Sequence, residues 1–128
     1  MNFRPKDHVV IVGGGFAGMR LVKELKTTPL RITLIDKQNY HSFQPLFYQV
    51  ASARLEPASI SFPFRKVFQN YRNFEFRMAE VKSVDTGNNM LITNNGVVHY
   101  DHLIIGTGCT TNYFGNEEIK KNSLAMKT

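Results

Sequence analysis

The residues with the most chemical content stand near the start of the chain. Gly13-Gly14-Gly15-Phe16-Ala17-Gly18 follows the apolar run His8–Val12 and opens an amphipathic stretch. A G-x-G-x-x-G motif between a strand and a helix predicts a cradle for a diphosphate. Gly13 permits the tight turn out of the strand. Gly15, without a Cβ, lets the backbone approach a pyrophosphate, and Gly18 lets the helix pack closely on the sheet. The backbone of Gly14, Phe16 and Ala17 belongs to the same cradle, because a helix start offers unpaired N–H groups and a positive dipole end to an anion. Asp36 follows Gly18 by 18 residues, near the spacing of an acid that accepts hydrogen bonds from ribose 2′- and 3′-hydroxyls. Its charge would repel a 2′-phosphate, which argues against NADP. The competing reading is a glycine-rich turn followed by a capping Asp. Strand, glycines, helix, strand and acid in order weigh against that reading. The pattern reads only an adenosine diphosphate half, so FAD and NAD both remain open on these residues.

The elements that would position these groups form an α/β fold. The predicted architecture is a Rossmann-like βαβ unit with a parallel sheet, plus a small antiparallel β-meander. HVVIV reads as a strand buried on both faces. Phe16 to about Thr27 reads as a helix, with Gly18, Leu21, Val22 and Leu25 on one face and Pro29 beyond its end. Arg31–Ile35 is a second strand that ends in Asp36. Residues 37–72 read as a loop and helical insertion. Within it, Ile60, Phe64, Val67, Phe68 and Tyr71 predict one helix over 60–71, capped by Ser59 or Ser61, with Pro63 in its first turn and its stripe facing the core. Alternation at Phe74, Phe76 and Met78 predicts a meander over residues 73–101, with a bend near Glu80 and turns at 85–89 and 94–96. Residues 102–108 read as a returning strand that runs into Gly106-Thr107-Gly108. The polar tail starts like a helix.

The chain has 128 residues and a formal net charge of +6, with 42% hydrophobic and 20% charged residues. That is enough for one domain with a real core and is ordinary for a globular protein. The basic excess fits an anionic ligand, an anionic membrane surface or plain solubility. One cysteine, Cys109, excludes an intrachain disulfide, fits a cytoplasmic compartment and reads as a small buried hydrophobe. The four histidines lack metal-ligand spacing, so no metal site is expected. No serine stands in a nucleophile elbow. Arg65, Lys66, Arg72 and Arg77 fit a solvated face better than a nucleic-acid surface. The N-terminus has no signal-peptide pattern, and no apolar run approaches a membrane span.

HVVIVGGGFAGM, Asp36, the stretch YHSFQPLFYQVASARLEPASI and the strand YDHLIIGTG together resemble the type II NADH dehydrogenases, alternative NADH:quinone oxidoreductases of the two-dinucleotide-binding flavoprotein group. The resemblance covers roughly residues 8–115. The Tyr40–Ala51 stretch is its more specific part, with Phe47 where the family has Leu. The resemblance implies FAD held by Gly13, Gly15, Gly18 and Asp36, with Gly14, Phe16, Ala17 and Lys37 beside them. A second contact is implied at Thr107 and Gly108, after a Gly106 that is usually Ala in the family. It also implies Val81 beside the adenine, and the Phe43–Gln49 segment, with Pro45 and Leu46, near the flavin. Phe43, Pro45 and Leu46 read equally as a wall of the core.

In an intact enzyme of this kind, hydride passes from NADH to the flavin and electrons pass to a membrane quinone. No catalytic acid or base is assigned. The family's greater length implies that residues 1–128 form the N-terminal part of an FAD-binding domain, inactive towards NADH alone. Peripheral attachment to the inner face of the cell membrane would then lie in C-terminal parts, and a homodimer is compatible with the family. The alternative is a non-catalytic module for NAD or another ADP-containing ligand. The expected meander between residues 74 and 100 weighs against that alternative, since a simple NAD-binding unit would continue with another helix and parallel strand.

Overall fold

The structure is a computed structural model that describes residues 6–125. Its centre is a parallel sheet. Strand β1 (His8–Val12) leads into helix α1 (Phe16–Glu24), and β2 (Arg31–Asp36) returns beside β1 with Val9 opposite Ile32 and Val12 opposite Ile35. Val9, Val10 and Ile11 are all fully buried because the sheet is covered on both faces. Val9, Ile11, Ile32 and Leu34 face a core shared with Val22 of α1 and with Phe64, Phe68 and Phe76. Val10 and Ile35 face a second core with Ala79, Leu91 and Val98. The period-2 alternation of a strand divides the residues between these two layers.

Helix α1 stops at Glu24, earlier than the expected Thr27. Residues 25–27 form a turn instead. The carbonyls of Leu25 and Thr28 accept from Asn73 Nδ2 at 3.1 and 3.2 Å, so a side chain from across the sheet satisfies this end.

Two expectations need correction. The first is the helix over 60–71. A 3-10 turn at Pro57–Ile60 runs into strand β4 (Ser61–Pro63), which pairs antiparallel with β3 (Tyr40–Ser42). Only Phe64–Val67, helix α3, is helical. Pro63 is the cause, since a residue before proline is pushed out of the helical region and Pro63 itself is extended at φ −60°, ψ 127°. The stripe still faces the core, with Phe64 and Phe68 buried and Val67 and Tyr71 packed against them. Between β3 and β4 lie a 3-10 turn at Gln44–Leu46 and the short helix α2 (Phe47–Ala51).

The second correction concerns residues 74–78. Strand β5 (Phe74–Met78) pairs parallel with β2, Ile32 opposite Phe74 and Asp36 opposite Met78, and so belongs to the central sheet. Alternation identifies a strand but not its partner. The meander proper is β6 (Val81–Asp85), β7 (Met90–Thr93) and β8 (Gly96–His99), with a register shift between Val81 and Ser83. Strand β9 (His102–Ile105) then returns parallel to β1, giving the order β5-β2-β1-β9. The short helix α4 (Glu117–Asn122) is capped by Asn116, whose side chain accepts from the Ile119 N–H. Among the described residues no helix is long and apolar enough to cross a membrane.

Candidate functional site

The carboxyl ends of β1, β2 and β9 converge, and a cleft of about 580 Å³ opens there. That is the usual position for a ligand in an open α/β sheet, and the size is usual for a small-molecule site. Gly13, Gly14, Gly15, Phe16, Ala17, Asp36, Thr107 and Gly108 line it, all expected from the sequence. Gly18 lies beneath, where a Cβ would overlap the Gly13 carbonyl oxygen. Its task is close packing of α1 on the sheet, as expected.

The glycines separate by what surrounds them. Gly13 has φ +103°, and a Cβ on it would overlap the Gly106 carbonyl oxygen. A Cβ on Gly14 would overlap the ring of Phe64. Gly15 differs from both. Its φ is −72°, and the nearest atom to a Cβ there is Gly106 O at 4.0 Å. Neither backbone conformation nor neighbouring atoms demand a glycine at position 15. A Cβ would occupy space in the cleft, and its absence leaves room for another molecule against the backbone.

The start of α1 is open to an anion. Gly15 is its N-cap, no side chain caps it, and the first turn has no acidic residue. The first N–H groups of a helix have no intrahelical acceptors, so this end presents donors and a positive dipole to the cleft. Asp36 at the end of β2 is fixed before any ligand arrives. Its Oδ2 accepts from the Gly14 N–H at 2.6 Å and its Oδ1 from the Gln38 N–H at 2.9 Å. A carboxylate has about four acceptor positions, so capacity remains for a diol.

Lys37, Pro45, Leu46 and Val81 do not line the cleft. Lys37 pairs with Glu80 at 3.0 Å on the surface. Pro45 and Leu46 sit in the 3-10 turn, and Gln44 at its start and Phe47 just after it reach the cleft in their place. Val81 packs against the second core. Phe43 is no core wall, being partly exposed with its ring edge-on to Phe16 at 5.6 Å. Cys109 is exposed and lines the cleft, contrary to the buried filler expected, because Gly108 at φ +70° turns the chain away from β9.

Sequence reasoning missed Gln38, Tyr40, His41 and Ser42 as lining residues, whereas Gln44 and Phe47 lie in the Phe43–Gln49 segment and Gly106 opens the Gly106-Thr107-Gly108 contact that the resemblance implied. The β3–β4 ribbon delivers Tyr40, His41 and Ser42, and three-residue strands leave almost no periodic signal. Among the described residues no group of three or more His, Cys, Asp or Glu could hold a metal ion.

Comparison with known proteins places this geometry. A type II NADH:quinone oxidoreductase of Mycobacterium tuberculosis is 37% identical over 127 residues, covering 96% of this chain and 27% of the relative. The solved sulfide:quinone oxidoreductase of Aquifex aeolicus superposes with a TM-score of 0.86 at 33% identity, over 95% of this chain and 29% of that one. NDH2 of Plasmodium falciparum, solved in complex with NADH, superposes with a TM-score of 0.82 at 24% identity over 91% of this chain and 25% of that one, a likeness of fold. The chain thus spans under a third of the length of these relatives. Residues 7–128 match the pyridine nucleotide-disulphide oxidoreductase family, and the chain belongs to that family.

Proposed function

We propose that the chain forms the FAD-binding portion of a flavoprotein NADH:quinone oxidoreductase. The single observation that carries the binding reading is Gly15, where neither φ nor a neighbouring atom demands a glycine and the missing Cβ leaves the cleft open against the backbone. The uncapped start of α1 would receive the pyrophosphate, through the backbone of Gly14, Gly15, Phe16 and Ala17. Asp36 would hold the adenosine ribose. Gly13 and Gly18 keep the loop and helix close to the sheet. Thr107 and Gly108 at the end of β9 bring backbone to the opposite wall.

FAD, when bound, supplies the hydride-accepting and electron-transferring chemistry. This chain's residues bind it, orient it and exclude water from one side of it. None is assigned as an obligatory acid or base. NADH and quinone are the proposed reactants of the whole enzyme, which would act at the cytoplasmic face of the membrane through segments beyond this cleft. A homodimer is the proposed assembly.

A second reading, a non-catalytic NAD- or ADP-type module, gains one observation. Strand β5 supplies the third parallel strand that such a unit needs. A titration separates the two readings. FAD, NAD and NADP are each titrated against the purified chain, with flavin fluorescence or calorimetry as readout. FAD should bind, and Asp36→Asn should weaken it about tenfold, since a hydrogen bond to a charged group contributes about 1.5 kcal/mol or more. Binding of NAD with indifference to FAD would establish the second reading instead.

A further inference from the structure

Both polar backbone groups of Gly14 are held by side chains from distant parts of the chain. Its N–H donates to Asp36 Oδ2 at 2.6 Å, and its carbonyl oxygen is 3.0 Å from His41 Nδ1. The geometry points to His41 as the positioning residue of the phosphate loop, its Nδ1–H clamping the Gly14 carbonyl opposite the Asp36 clamp on the N–H. The inference deepens the FAD reading above and rests on it for the ligand, while the clamp itself is a property of the chain.

The chemistry fixes which ring nitrogen carries the proton. A carbonyl oxygen only accepts, so Nδ1 must donate, and the neutral ring leaves Nε2 as an acceptor. The ring has little freedom to do otherwise. His41 is 7% exposed, and its ring meets Phe16 edge-on at 5.1 Å. The β3–β4 ribbon sets it in place, with His41 opposite Phe62. The ribbon continues one rung further through the Phe64 N–H, which donates to the Asn39 carbonyl at 3.0 Å. The Phe64 ring in turn fills the space where a Gly14 Cβ would stand. Asp36, His41 and Phe64 therefore hold Gly14 from three sides.

This arrangement answers a specific need. A run of three glycines has more conformational freedom than any other tripeptide, and a loop that must be ordered at the moment of binding loses affinity. Two hydrogen bonds to one residue fix the orientation of the peptide planes on either side of it. The N–H groups that follow are thereby aimed before the ligand arrives.

The test compares His41→Asn, His41→Gln and His41→Leu in the full chain. An Asn amide nitrogen stands at the place of Nδ1, whereas a Gln amide nitrogen reaches toward Nε2. Two quantities are read, FAD affinity by flavin fluorescence and amide hydrogen exchange of the segment 13–18 without FAD. H41L and H41Q should weaken FAD at least tenfold and accelerate exchange in that segment. H41N should stay within threefold of wild type in both.

Equal loss in H41N and H41L would overturn the clamp, because a packing role does not distinguish them in this way. Wild-type affinity and exchange in H41L would also overturn it. If H41L does not fold, the contrast between H41N and H41Q decides alone. If the wild-type chain binds no FAD, the reading of the ligand fails. The exchange pattern then still decides the clamp, supporting it if H41Q and H41L open the loop and H41N does not, and overturning it otherwise.

Discussion

At the scale of single residues, the glycines make opposite predictions. Gly15→Ala adds a methyl group to open space at an ordinary φ of −72°. Its main folding effect is the exchange of a favoured N-cap residue for a poor one, about 0.5–1 kcal/mol. FAD affinity should fall far more, by about tenfold or greater, because the methyl group occupies the ligand's path. Gly18→Ala reverses the pattern. Its Cβ would overlap the Gly13 carbonyl oxygen, a backbone atom that cannot rotate away. Overpacking of this kind costs about 1–3 kcal/mol, offset in part by the roughly 1 kcal/mol that Ala gains over Gly inside a helix. Net destabilisation of up to about 2 kcal/mol is expected. Urea unfolding and FAD titration of the two variants separate the effects, and a Gly15→Ala protein that binds FAD normally would remove the argument built on that residue.

Gly106 shows how a departure from the family pattern can be judged physically. A Cβ there would meet Val12 O at 3.5 Å, ordinary contact, and its φ lies outside the left-handed region. The Ala usual in the family therefore fits. Gly106→Ala should stabilise the chain by about 0.5 kcal/mol, mostly by restricting the unfolded state. Thermal melts of the two proteins check it, and a lower Tm in the variant would contradict it.

At the scale of elements, the start of β1 carries a pH dependence. His8 Nε2 lies 2.8 Å from Thr33 Oγ1 on β2, and its pKa is lowered from 6.5 by burial, with Arg31 adding to the effect. Glu75, Asp101 and the His99 backbone act in the opposite direction. A lowered folded-state pKa means that the unfolded chain binds more protons at mildly acid pH. The stability contribution is present above about 6.5 and is lost as pH falls through the folded value. Glu80 and Asp85, also lowered, are held by Lys82 and Lys37 and by Asn88. They act in the same direction but below their ordinary values of 4.5 and 3.8, so the windows do not overlap. Urea midpoints between pH 7 and pH 5 should fall in the wild type and fall less in His8→Gln.

The elements also mark what was legible in the sequence. β1, α1 and β2 were readable because each is long enough to show a period, and because the glycines punctuate them. Asp36 and the cradle came with them. The β3–β4 ribbon was not readable. Its strands have three residues each, and its pairing joins positions 40–42 to 61–63 across the intervening turns. His41 and its neighbours were lost with it, although the resemblance had singled out that stretch. Phe64 and Phe68 were correctly read as core while their helix was not, since burial at spacing four survives a proline that breaks the helix before them. Alternation makes β5 legible as a strand but leaves its neighbour open, because pairing with β2 depends on the whole 37–73 crossover.

At the scale of the whole molecule, the cleft is assembled from three separate segments. The loop after β1, the end of β2 and the end of β9 reach it from residues 13–17, 36–47 and 106–109. A ligand seated there touches all three, binds the folded chain and has no counterpart site in the unfolded one. Its binding must therefore raise the unfolding temperature by mass action. FAD at a hundred times its Kd adds about 2.7 kcal/mol, which for a domain of this length is a rise of roughly 10 °C. NADP at the same concentration should give no comparable rise, because Asp36 faces its 2′-phosphate with a like charge. Asp36→Asn should shrink the FAD shift without lowering the baseline Tm by a similar amount, since Asn keeps an acceptor for the Gly14 or Gln38 N–H. A folded chain whose melting point is unmoved by saturating FAD would show that three converging segments are not sufficient for flavin binding. A rise with NADP equal to that with FAD would show that Asp36 does not set the choice between a free and a phosphorylated ribose.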